Sequence, residues 1–278
     1  MKGLMIQGTC SNAGKSFIVT GLCRIFSDLG IKICPFKSQN MSNNSVIMKS
    51  GLEISVAQYE QALAARLEPE IFMNPILLKP KNDSHSEIIL NGKNYELLNG
   101  ENYFRDFTQN LGIKTIREAL NHIKNNLDAI IIEGAGSPAE INLNAHEIVN
   151  MRIAREADVP VILVTDVDRG GSLASIVGTL ELLGKDRNRV KGIIFNKFRG
   201  DIRLFKSAVE WTENYTGIKV VGVIPFEKSI NLESEDSLSD KKNISVRSDN
   251  PDKNNIYNSI ANLLRENLEM NFITCFFK

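Results

Sequence analysis

The run Gly8-Thr9-Cys10-Ser11-Asn12-Ala13-Gly14-Lys15-Ser16 decides the fold of this chain, because of what stands on either side of it. A short apolar run, residues 4–7, precedes it, and an apolar run of helical pattern begins at Phe17. The order strand, loop and helix brings together backbone N–H groups, a helix N-terminus, a lysine and a hydroxyl. These are the groups that bind a phosphate chain with Mg²⁺. The usual spacing is G-x-x-x-x-G-K-[ST], whereas here Gly8 lies one position early and Thr9 stands in its place. We predict a phosphate-binding loop of a variant type.

Length and composition place the chain among globular proteins. It has 278 residues, of which 42% are hydrophobic, and 33 basic side chains balance 33 acidic ones. This balance removes the main electrostatic reason to expect nucleic acid or an anionic membrane as a partner. The apolar run at the N-terminus is too short for a signal peptide or a membrane span, and the four cysteines have no zinc-binding spacing. We expect a cytoplasmic protein that binds neither nucleic acid nor a membrane.

Apolar runs of strand length alternate with amphipathic runs of helix length along most of the chain. The predicted strands are residues 4–7, 32–36, 129–133, 161–165, 192–196 and 220–224. The predicted helices are residues 54–66, 113–126, 145–157, 172–183 and 202–215. Such alternation is typical of parallel sheets with crossover helices. The sequence therefore predicts an α/β fold with a mostly parallel, doubly wound sheet.

Two regions depart from this alternation. Residues 50–126 combine helical patterns, a stretch rich in Pro, Lys and Asn at 74–83 and a hairpin-like run, and the strand pattern resumes after them. Residues 233–243 are polar and charged, as in a linker, and residues 256–268 have one amphipathic helical pattern. We predict one domain over residues 1–238 with an insertion at about 50–126. Residues 239–278 are predicted to be a linker and a tail that either forms one helix or is disordered.

Acidic residues stand at the ends of two predicted strands. Ligands of doubly wound sheets lie beyond the carboxyl ends of the strands, so a carboxylate there can hold Mg²⁺ opposite the loop. Glu133 ends an apolar strand, and the Gly-Ala-Gly run after it leaves room for phosphates. We predict that Glu133 belongs to the site together with Ser16. Asp166 and Asp168 follow the next strand. For both, a role at the ligand site and a structural role in helix capping or loop solvation are equal alternatives.

Two further residues have competing interpretations. Asn196 ends a later apolar strand, and its amide can both donate to and accept from the edge of adenine, although a polar turn is the alternative. Together with the loop, Asn196 predicts a purine nucleotide. Cys10 lies just before a helix N-terminus, where a thiol can become reactive. No histidine stands near it in the sequence, so we interpret it as a loop residue.

These runs together resemble the ATP-binding part of the cobyric acid synthase family, within the dethiobiotin synthetase-like branch of P-loop proteins. The early glycine is shared by the branch, whereas the Ser-Pro-Ala-Glu-Ile-Asn-Leu and Asp-Val-Asp-Arg-Gly-Gly runs indicate cobyric acid synthases in particular. The resemblance extends from residue 3 to about residue 238. The matching runs are Gln7-Gly8-Thr9, Gly14-Lys15-Ser16, Pro35-Phe36-Lys37, Gln39-Asn40-Met41, Asn44-Ser45, Met73-Asn74-Pro75, Leu77-Leu78-Lys79-Pro80, and residues 133–143, 166–171 and 196–201.

The resemblance implies a P-loop NTPase-like fold and ATP-dependent amidation of side-chain carboxylates on adenosylcobyrinic acid a,c-diamide, a corrinoid, with ATP and Mg²⁺ as cofactors. The residues that it assigns to ATP are Gly8, Thr9, Asn12, Ala13, Gly14, Lys15, Ser16, Phe17, Asn196 and Lys197. Those that it assigns to catalysis are Lys15, Lys37, Glu133 and Asp168, with Ser16 and Glu133 at the metal. The candidates for the corrinoid side, with loop stabilisation as the alternative, are Gln39, Asn40, Asn74, Lys79, Glu140 and Asn142.

The sequence departs from the family pattern at two places. Ser38 stands where the family usually has proline, which removes no functional group. The family continues into a glutamine amidotransferase domain that releases ammonia, and Cys275 lacks both the strand-nucleophile-helix setting and the downstream histidine of such a domain. We expect no glutaminase activity. Ammonia then comes from a domain lost by truncation, from a separate subunit or from solution. The sequence leaves open whether the protein is a homodimer.

Two other functions compete with the ligase. Dethiobiotin synthetase shares the loop but carboxylates a small diamine, and the corrinoid-type runs after Glu133 and Val164 argue against it. A partitioning-type ATPase is a switch and not a ligase. It carries an extra lysine five residues before the loop lysine, where this chain has Cys10. The helical pattern at 256–268 is mixed rather than basic, unlike that of a membrane-binding helix.

Overall fold

The computed structural model describes residues 1–82, 84–228 and 251–278. Within these ranges the strands are β1 (Gly3–Gly8), β2 (Ile33–Phe36), β3 (Gln39–Met41), β4 (Ser45–Ile47), β5 (Glu53–Ser55), β6 (Ile76–Pro80), β7 (His85–Leu90), β8 (Lys93–Asn99), β9 (Ala129–Glu133), β10 (Val161–Asp166), β11 (Val190–Phe198) and β12 (Lys219–Pro225). The α-helices are α1 (Lys15–Asp28), α2 (Val56–Ala64), α3 (Gly100–Asn102), α4 (Ile113–Asn126), α5 (Met151–Ala157), α6 (Ser172–Leu182), α7 (Ile202–Thr216), α8 (Pro251–Asn267) and α9 (Met270–Thr274). Other helical segments are a π-helix (Tyr103–Gly112) and 3-10 helices (Ile71–Met73, Gly184–Arg189 and Cys275–Phe277).

Six strands form one parallel sheet in the order β12-β11-β10-β1-β9-β2. Strands β9 and β2 lie on one side of β1, and β10, β11 and β12 lie on the other. Every residue of β1, β9 and β10 is buried. Near-continuous apolar runs of this kind are expected for parallel strands that helices cover on both faces. The prediction of a mostly parallel, doubly wound α/β sheet is confirmed.

The side chains of the sheet pack into two hydrophobic clusters, one for each face. In β1, Met5 belongs to one cluster, whereas Leu4 and Ile6 belong to the other. Buried side chains of α4, α5 and α6 join the cluster of Met5, and those of α1 and α8 join the cluster of Leu4 and Ile6. The alternation is the period of two of an extended strand. Both faces of the sheet are therefore covered by helices.

The predicted helix at 145–157 begins later than expected, at Met151. Glu147 supplies the reason, because Oε1 of its carboxylate accepts from the backbone N–H of Val149 at 2.5 Å, and Oε2 accepts from the N–H of Arg152 at 3.2 Å. Only Arg152 belongs to α5, so Glu147 satisfies one N–H group of the first turn and fixes the turn that precedes the helix. Ile148 is buried like a helix residue, so the apolar pattern extends past the true start of α5.

Residues between β2 and β9 form a second sheet in the order β3-β6-β7-β8, and β4 pairs with β5. Strands β7 and β8 join through Asn91 and Gly92, whose φ angles of 47° and 76° are those of a type I′ turn. The predicted hairpin-like run is thus a hairpin. The assignment of residues 50–126 as an insertion, and of the domain boundary at 238, stays a prediction.

The C-terminal helix α8 packs against the loop helix α1 and belongs to the core. Gly21 of α1 lies at the contact, where an added Cβ would come within 2.4 Å of Leu264 and 2.7 Å of Ile260. After the helix, the backbone N–H of Glu269 donates to the carbonyl of Val221 in the edge strand β12 at 2.8 Å. A side chain at position 21 would therefore push α8 away from α1.

Polar contacts also join α8 to α1 and α2. The buried guanidinium of Arg24 in α1 donates to Asn254 at 2.8 Å and lies 5.4 Å from the ring centre of Tyr257. The hydroxyl of Tyr257 donates to the carboxylate of Glu60 in α2. Burial raises the pKa of Tyr257, and the nearby Glu60 carboxylate raises it further, so the phenol stays protonated as a donor. Helix α8 thus connects the two helices.

The predicted helix at 256–268 lies within α8 except for its last residue, because α8 ends at Asn267. The predicted linker at 233–243 lies outside the described residues. No helix in the described part of the chain is both long enough and apolar enough to cross a membrane.

We expect Leu264→Ala to lower the free energy of unfolding by about 2–5 kcal/mol, because it leaves a cavity between α8 and α1. Leu264 is completely buried, with 0% of its surface exposed. Urea denaturation measures the change. The matched control is Leu204→Ala, since Leu204 is 81% exposed and its truncation should change the stability by about 0.5 kcal/mol or less. Equal stability of the two variants would contradict the packing of α8 in the core.

Candidate functional site

The carboxyl ends of the six parallel strands meet at one edge of the main sheet. The phosphate-type loop follows β1, Lys37 follows β2, Glu133 ends β9, Asp166 ends β10 and Asn196 lies near the end of β11. Ligands of doubly wound sheets bind at this edge, near the point where the strand order reverses on either side of the first strand. The topology therefore gathers these predicted site residues at one place.

The loop between β1 and α1 has the backbone of an anion-binding turn. Asn12 has a φ of 60° and Gly14 a φ of 97°, both left-handed. Successive N–H groups in such turns form a concave surface that binds anions, and the first N–H groups of α1 have no partner within the helix. Nζ of Lys15 donates to the carbonyl of Cys10 at 3.2 Å and to that of Gly136 at 3.1 Å. The ammonium group thus lies between the loop and the segment after β9.

The structure gives a reason for the early glycine. Thr9 continues the strand pairing, since its N–H donates to the carbonyl of Val164 at 2.9 Å. A Cβ added at Gly8 would lie 2.9 Å from a loop carbonyl and 3.1 Å from Nζ of Lys15. The loop and its lysine therefore pack directly against Gly8, where a side chain would collide with them.

Glu133 is the centre of a buried polar cluster and is 0% exposed. Its Oε1 accepts from Oγ of Ser16 at 2.9 Å and from Nζ of Lys37 at 2.8 Å. Its Oε2 accepts from Nε2 of Gln61 at 2.5 Å. A buried carboxylate is stable when it is both paired with a cation and hydrogen-bonded, as this one is. The helices α1 and α2, the strand β9 and the residue that follows β2 supply the cluster.

Asn196 and Lys197 contact the loop from the end of β11. Nδ2 of Asn196 donates to the carbonyl of Ala13 at 2.8 Å, and a Cβ added at Gly14 would lie 2.0 Å from the same nitrogen. Nζ of Lys197 donates to the carbonyl of Asn12 at 2.5 Å. These contacts hold the loop backbone and exclude any side chain at position 14. The predicted pairing of Asn196 with adenine stays a prediction.

The two aspartates at and just after the end of β10 form ion pairs. Asp166 is buried, and its carboxylate accepts from Nζ of Lys197 at 2.9 Å and from the backbone N–H of Asp168 at 2.9 Å. Asp168 pairs with Nε of Arg199 at 2.7 Å, and that guanidinium lies 3.5 Å from the ring centre of Phe226. In these contacts both carboxylates stabilise the strand ends around the loop.

A cavity of about 870 Å³ lies beside the loop. Its lining includes polar residues, among them Asn12, Lys15, Ser16, Lys37, Gln39 and Asn40. It also includes apolar residues, among them Met41, Phe104, Pro138, Leu143, Ile148 and Phe226. The cavity can therefore offer both charged and apolar contacts to a ligand.

The cavity separates the predicted site residues into two groups. Those that line it are Asn12, Gly14, Lys15, Ser16, Phe17, Lys37, Gln39, Asn40, Glu140 and Lys197. Glu133 lies behind this lining, in contact with Ser16 and Lys37. Among the described residues, the lining does not include Gly8, Thr9, Ala13, Asn196, Asn74, Lys79, Asn142 or Asp168. The first four lie in the loop or contact it, whereas for the last four a direct role at the cavity stays a prediction.

Asn74 and Lys79 make contacts within the second sheet and its connections. Buried Asn74 donates to two backbone carbonyls, one of them that of Lys37 at 3.0 Å. Lys79 pairs with the carboxylate of Glu53. Asn142 is exposed in the loop after β9. The contacts of Asn74 and Lys79 are those of loop and sheet stabilisation, the alternative named from the sequence.

Gln61 and Phe104 were not among the residues predicted from the sequence. Gln58 and Gln61 lie three residues apart in a predicted helix, so the spacing places two buried amides on one face, and this signal could have found Gln61. Phe104 belongs to the π-helix Tyr103–Gly112. A π-helix has no simple sequence period, and such helices are frequent at functional sites.

The residues around the loop fit a nucleotide with Mg²⁺. The loop offers amides and Lys15 to phosphates, and glycine stands where a Cβ would collide. The hydroxyl of Ser16 and the carboxylate of Glu133 lie 2.9 Å apart and are both oxygen ligands. Mg²⁺ usually takes one or two protein oxygens together with phosphates and waters. This pair is therefore the candidate metal site. Within the described ranges, no group of three or more His, Cys, Asp or Glu could hold a metal.

The fold and the loop define a P-loop protein of the doubly wound α/β class. The family model described as the CobQ/CobB/MinD/ParA nucleotide binding domain matches residues 4–239. The chain therefore belongs to this nucleotide-binding domain family.

Its curated relatives include cobyric acid synthases. The chain is 49% identical over 245 residues to the cobyric acid synthase of Vibrio vulnificus (strain YJ016), and the match covers 88% of this chain and 51% of the relative. It is 49% identical over 252 residues to the cobyric acid synthase of Geobacillus sp. (strain WCH70), and this match covers 90% of this chain and 49% of the relative. The chain thus spans about half the length of these relatives, and the resemblance inferred from the sequence is confirmed. A solved MinD cell division protein from Aquifex aeolicus matches at 13% identity and a TM-score of 0.46, covering 83% of this chain and 84% of MinD, which is too distant to carry an argument.

Proposed function

We propose that this chain is the ATP-dependent part of an amide-forming ligase that converts side-chain carboxylates of adenosylcobyrinic acid a,c-diamide into amides on the way to cobyric acid. The proposal is supported by the relatedness to cobyric acid synthases. The observation that carries it is the Ser16–Glu133–Lys37 cluster beside a cavity that polar and apolar residues line. A nucleotide, a metal and a large carboxylate substrate each find suitable groups there.

The chemistry needs positioning and charge neutralisation more than acid–base catalysis. The substrate carboxylate attacks the γ-phosphorus of ATP, the bond to ADP breaks, and an acyl phosphate forms. Ammonia then attacks the acyl carbon, phosphate leaves, and a proton is lost to give the amide. Lys15 and the loop amides hold the phosphates, and Lys37 steadies the γ-phosphate or the reacting carboxylate.

Ser16 and Glu133 hold Mg²⁺ in this proposal. The ion neutralises phosphate charge when it is bound. Gln39, Asn40 and Glu140 face the substrate, since they line the cavity. Asn196 braces the loop beside the adenine region, as its bond to Ala13 suggests. We further propose a cytoplasmic enzyme that takes ammonia from a glutaminase domain or subunit, and a homodimer as its assembly.

One assay separates the three candidate functions. ADP release is measured with ammonium and either the corrinoid a,c-diamide or diaminopelargonic acid with bicarbonate. Release that requires the corrinoid and yields an amide supports the proposal. Release that requires the diamine supports a dethiobiotin synthetase-like ligase, and turnover indifferent to both supports a switch ATPase.

We expect Phe104→Ala to raise the KM for the corrinoid about 10- to 150-fold, since burying an aromatic side chain is worth about 1.5–3 kcal/mol. Phe104 is part of the apolar lining. The KM for ATP should stay unchanged because Phe104 is not in the loop. Steady-state kinetics at saturating ammonium measure both constants. Tyr215→Ala is the control, since Tyr215 is 61% exposed on α7 and lies outside the lining. An unchanged corrinoid KM in Phe104→Ala would contradict this substrate surface.

A further inference from the structure

We propose that Gln61 is a positioning residue of this site, whose amide fixes the orientation of the Glu133 carboxylate and thereby sets the affinity for Mg²⁺. The inference rests on the proposed function, in which Glu133 and Ser16 hold the metal. It assigns a role to a side chain of α2, an element outside the phosphate-binding loop.

The contact between the two side chains is direct and shielded from water. Nε2 of Gln61 lies 2.5 Å from Oε2 of Glu133, and both residues are 0% exposed. The other oxygen of Glu133, Oε1, accepts from Ser16 and Lys37. Donors on both oxygens stop the carboxylate from rotating. Gln61 thus helps to keep Oε1 turned toward Ser16.

Chemistry fixes which way the amide of Gln61 faces. An ionised carboxylate only accepts hydrogen bonds, so the NH₂ group of Gln61 must face it. The amide oxygen, Oε1 of Gln61, is then left elsewhere in the cluster, buried and with no hydrogen-bond partner among the described residues. A buried acceptor in this state is unfavourable by itself. Gln61 is completely buried and does not line the cavity, so its role is argued from its contact with Glu133.

Gln61 and Lys37 act on Glu133 in different ways. Lys37 brings a positive charge, which offsets the negative charge of Glu133 that would attract a metal ion. The amide of Gln61 orients the carboxylate and leaves its charge intact. Groups that orient a metal-binding carboxylate through a hydrogen bond typically change metal affinity by about 10–100-fold when they are removed.

The fold holds Gln61 in place from behind. Glu60, the adjacent residue of α2, accepts from the hydroxyl of Tyr257 and pairs with Lys253, both in α8. One side of α2 therefore contacts the C-terminal helix while Gln61 contacts Glu133. A helix fixed in this way can hold a side chain at a constant distance from the metal-binding acid.

The test compares Gln61→Met with Gln58→Met. Methionine keeps the length and bulk of glutamine and removes the amide. Gln58 is also a buried glutamine of α2, but its contacts are with Asn40 and Ser55 and not with Glu133. Three quantities are measured: the Mg²⁺ concentration that half-saturates ATP turnover, Mn²⁺ binding by electron paramagnetic resonance, and ATP affinity in EDTA.

We expect Gln61→Met to raise the half-saturating Mg²⁺ concentration and the Mn²⁺ dissociation constant about 10–100-fold. ATP affinity in EDTA should stay unchanged, and Gln58→Met should leave both metal constants unchanged. Equal metal constants in Gln61→Met and the wild type would overturn the positioning role. A wild-type protein with no metal dependence at all would instead overturn the proposed function, so the two failures are distinct.

Discussion

Lys15→Ala is expected to abolish ATP binding at millimolar nucleotide, one of the two largest effects expected in this protein. Nζ of Lys15 is held between two carbonyls, one in the loop and one after β9, at 3.2 and 3.1 Å. Phosphates can replace these neutral acceptors with charged ones, and charge-assisted hydrogen bonds are about twice as strong as neutral ones. Loss of two such bonds should weaken ATP binding about 100-fold or more, which corresponds to about 2.8 kcal/mol.

Isothermal titration with ATP, with and without Mg²⁺, measures this loss. Lys32→Ala is the matched control, since Lys32 is exposed at the amino end of β2, away from the carboxyl edge of the sheet. Its ATP affinity should equal that of the wild type. Circular dichroism establishes that both variants are folded. Retained ATP binding in folded Lys15→Ala would mean that the loop is not the phosphate site.

Glu133→Gln should lower Mg²⁺-dependent turnover about 100-fold or more, because the proposed function makes Glu133 a ligand of Mg²⁺, and a bound metal ion supplies several kcal/mol of charge stabilisation. The amide keeps the shape of the side chain but cannot offer two anionic oxygens to Ser16 and the metal. Steady-state ADP release across a Mg²⁺ titration measures the effect. Glu181→Gln, at an exposed position of α6, is the control and should behave as the wild type.

The same variant should also lose about 3–5 kcal/mol of stability, since it removes the carboxylate of a buried ion pair. Nζ of Lys37 lies 2.8 Å from Oε1 of Glu133, and both side chains are nearly inaccessible to water. The double variant Lys37→Met/Glu133→Gln removes both charges, so it should be more stable than Glu133→Gln alone while staying inactive. Urea unfolding of the four proteins of this cycle gives the coupling. Additive losses would contradict the ion pair.

The main sheet was predictable from the sequence because its strands are local patterns. Residues 129–133 form β9 with the predicted bounds, and each of the other five predicted strands lies within or overlaps an observed one. A parallel strand buried on both faces must be apolar along its whole length, and this composition is visible without any tertiary information. The loop was equally predictable, since Gly8, Gly14 and Lys15 each answer a steric or electrostatic demand of the turn itself.

The start of α5 and the role of α8 were less predictable. The apolar residue Ile148 keeps the helical spacing although it precedes α5, and the carboxylate of Glu147 accepts from N–H groups of the residues that follow. Periodicity alone therefore places the start of α5 too early. The helix at 256–268 was visible as a pattern, but its partner was not. Its packing on Gly21 joins residues that are more than two hundred positions apart, and no local pattern records such a contact.

By itself, the sequence determined the class of fold, the phosphate-binding loop and the acid that ends β9, because these depend on short runs whose chemistry is complete within a few residues. Only the tertiary structure decided what surrounds that acid. Ser16, Lys37 and Gln61 reach Glu133 from α1, from the end of β2 and from α2. The physical reason is that hydrogen bonds and ion pairs depend on distances of about 3 Å, which the crossing of elements sets and their spacing in sequence does not.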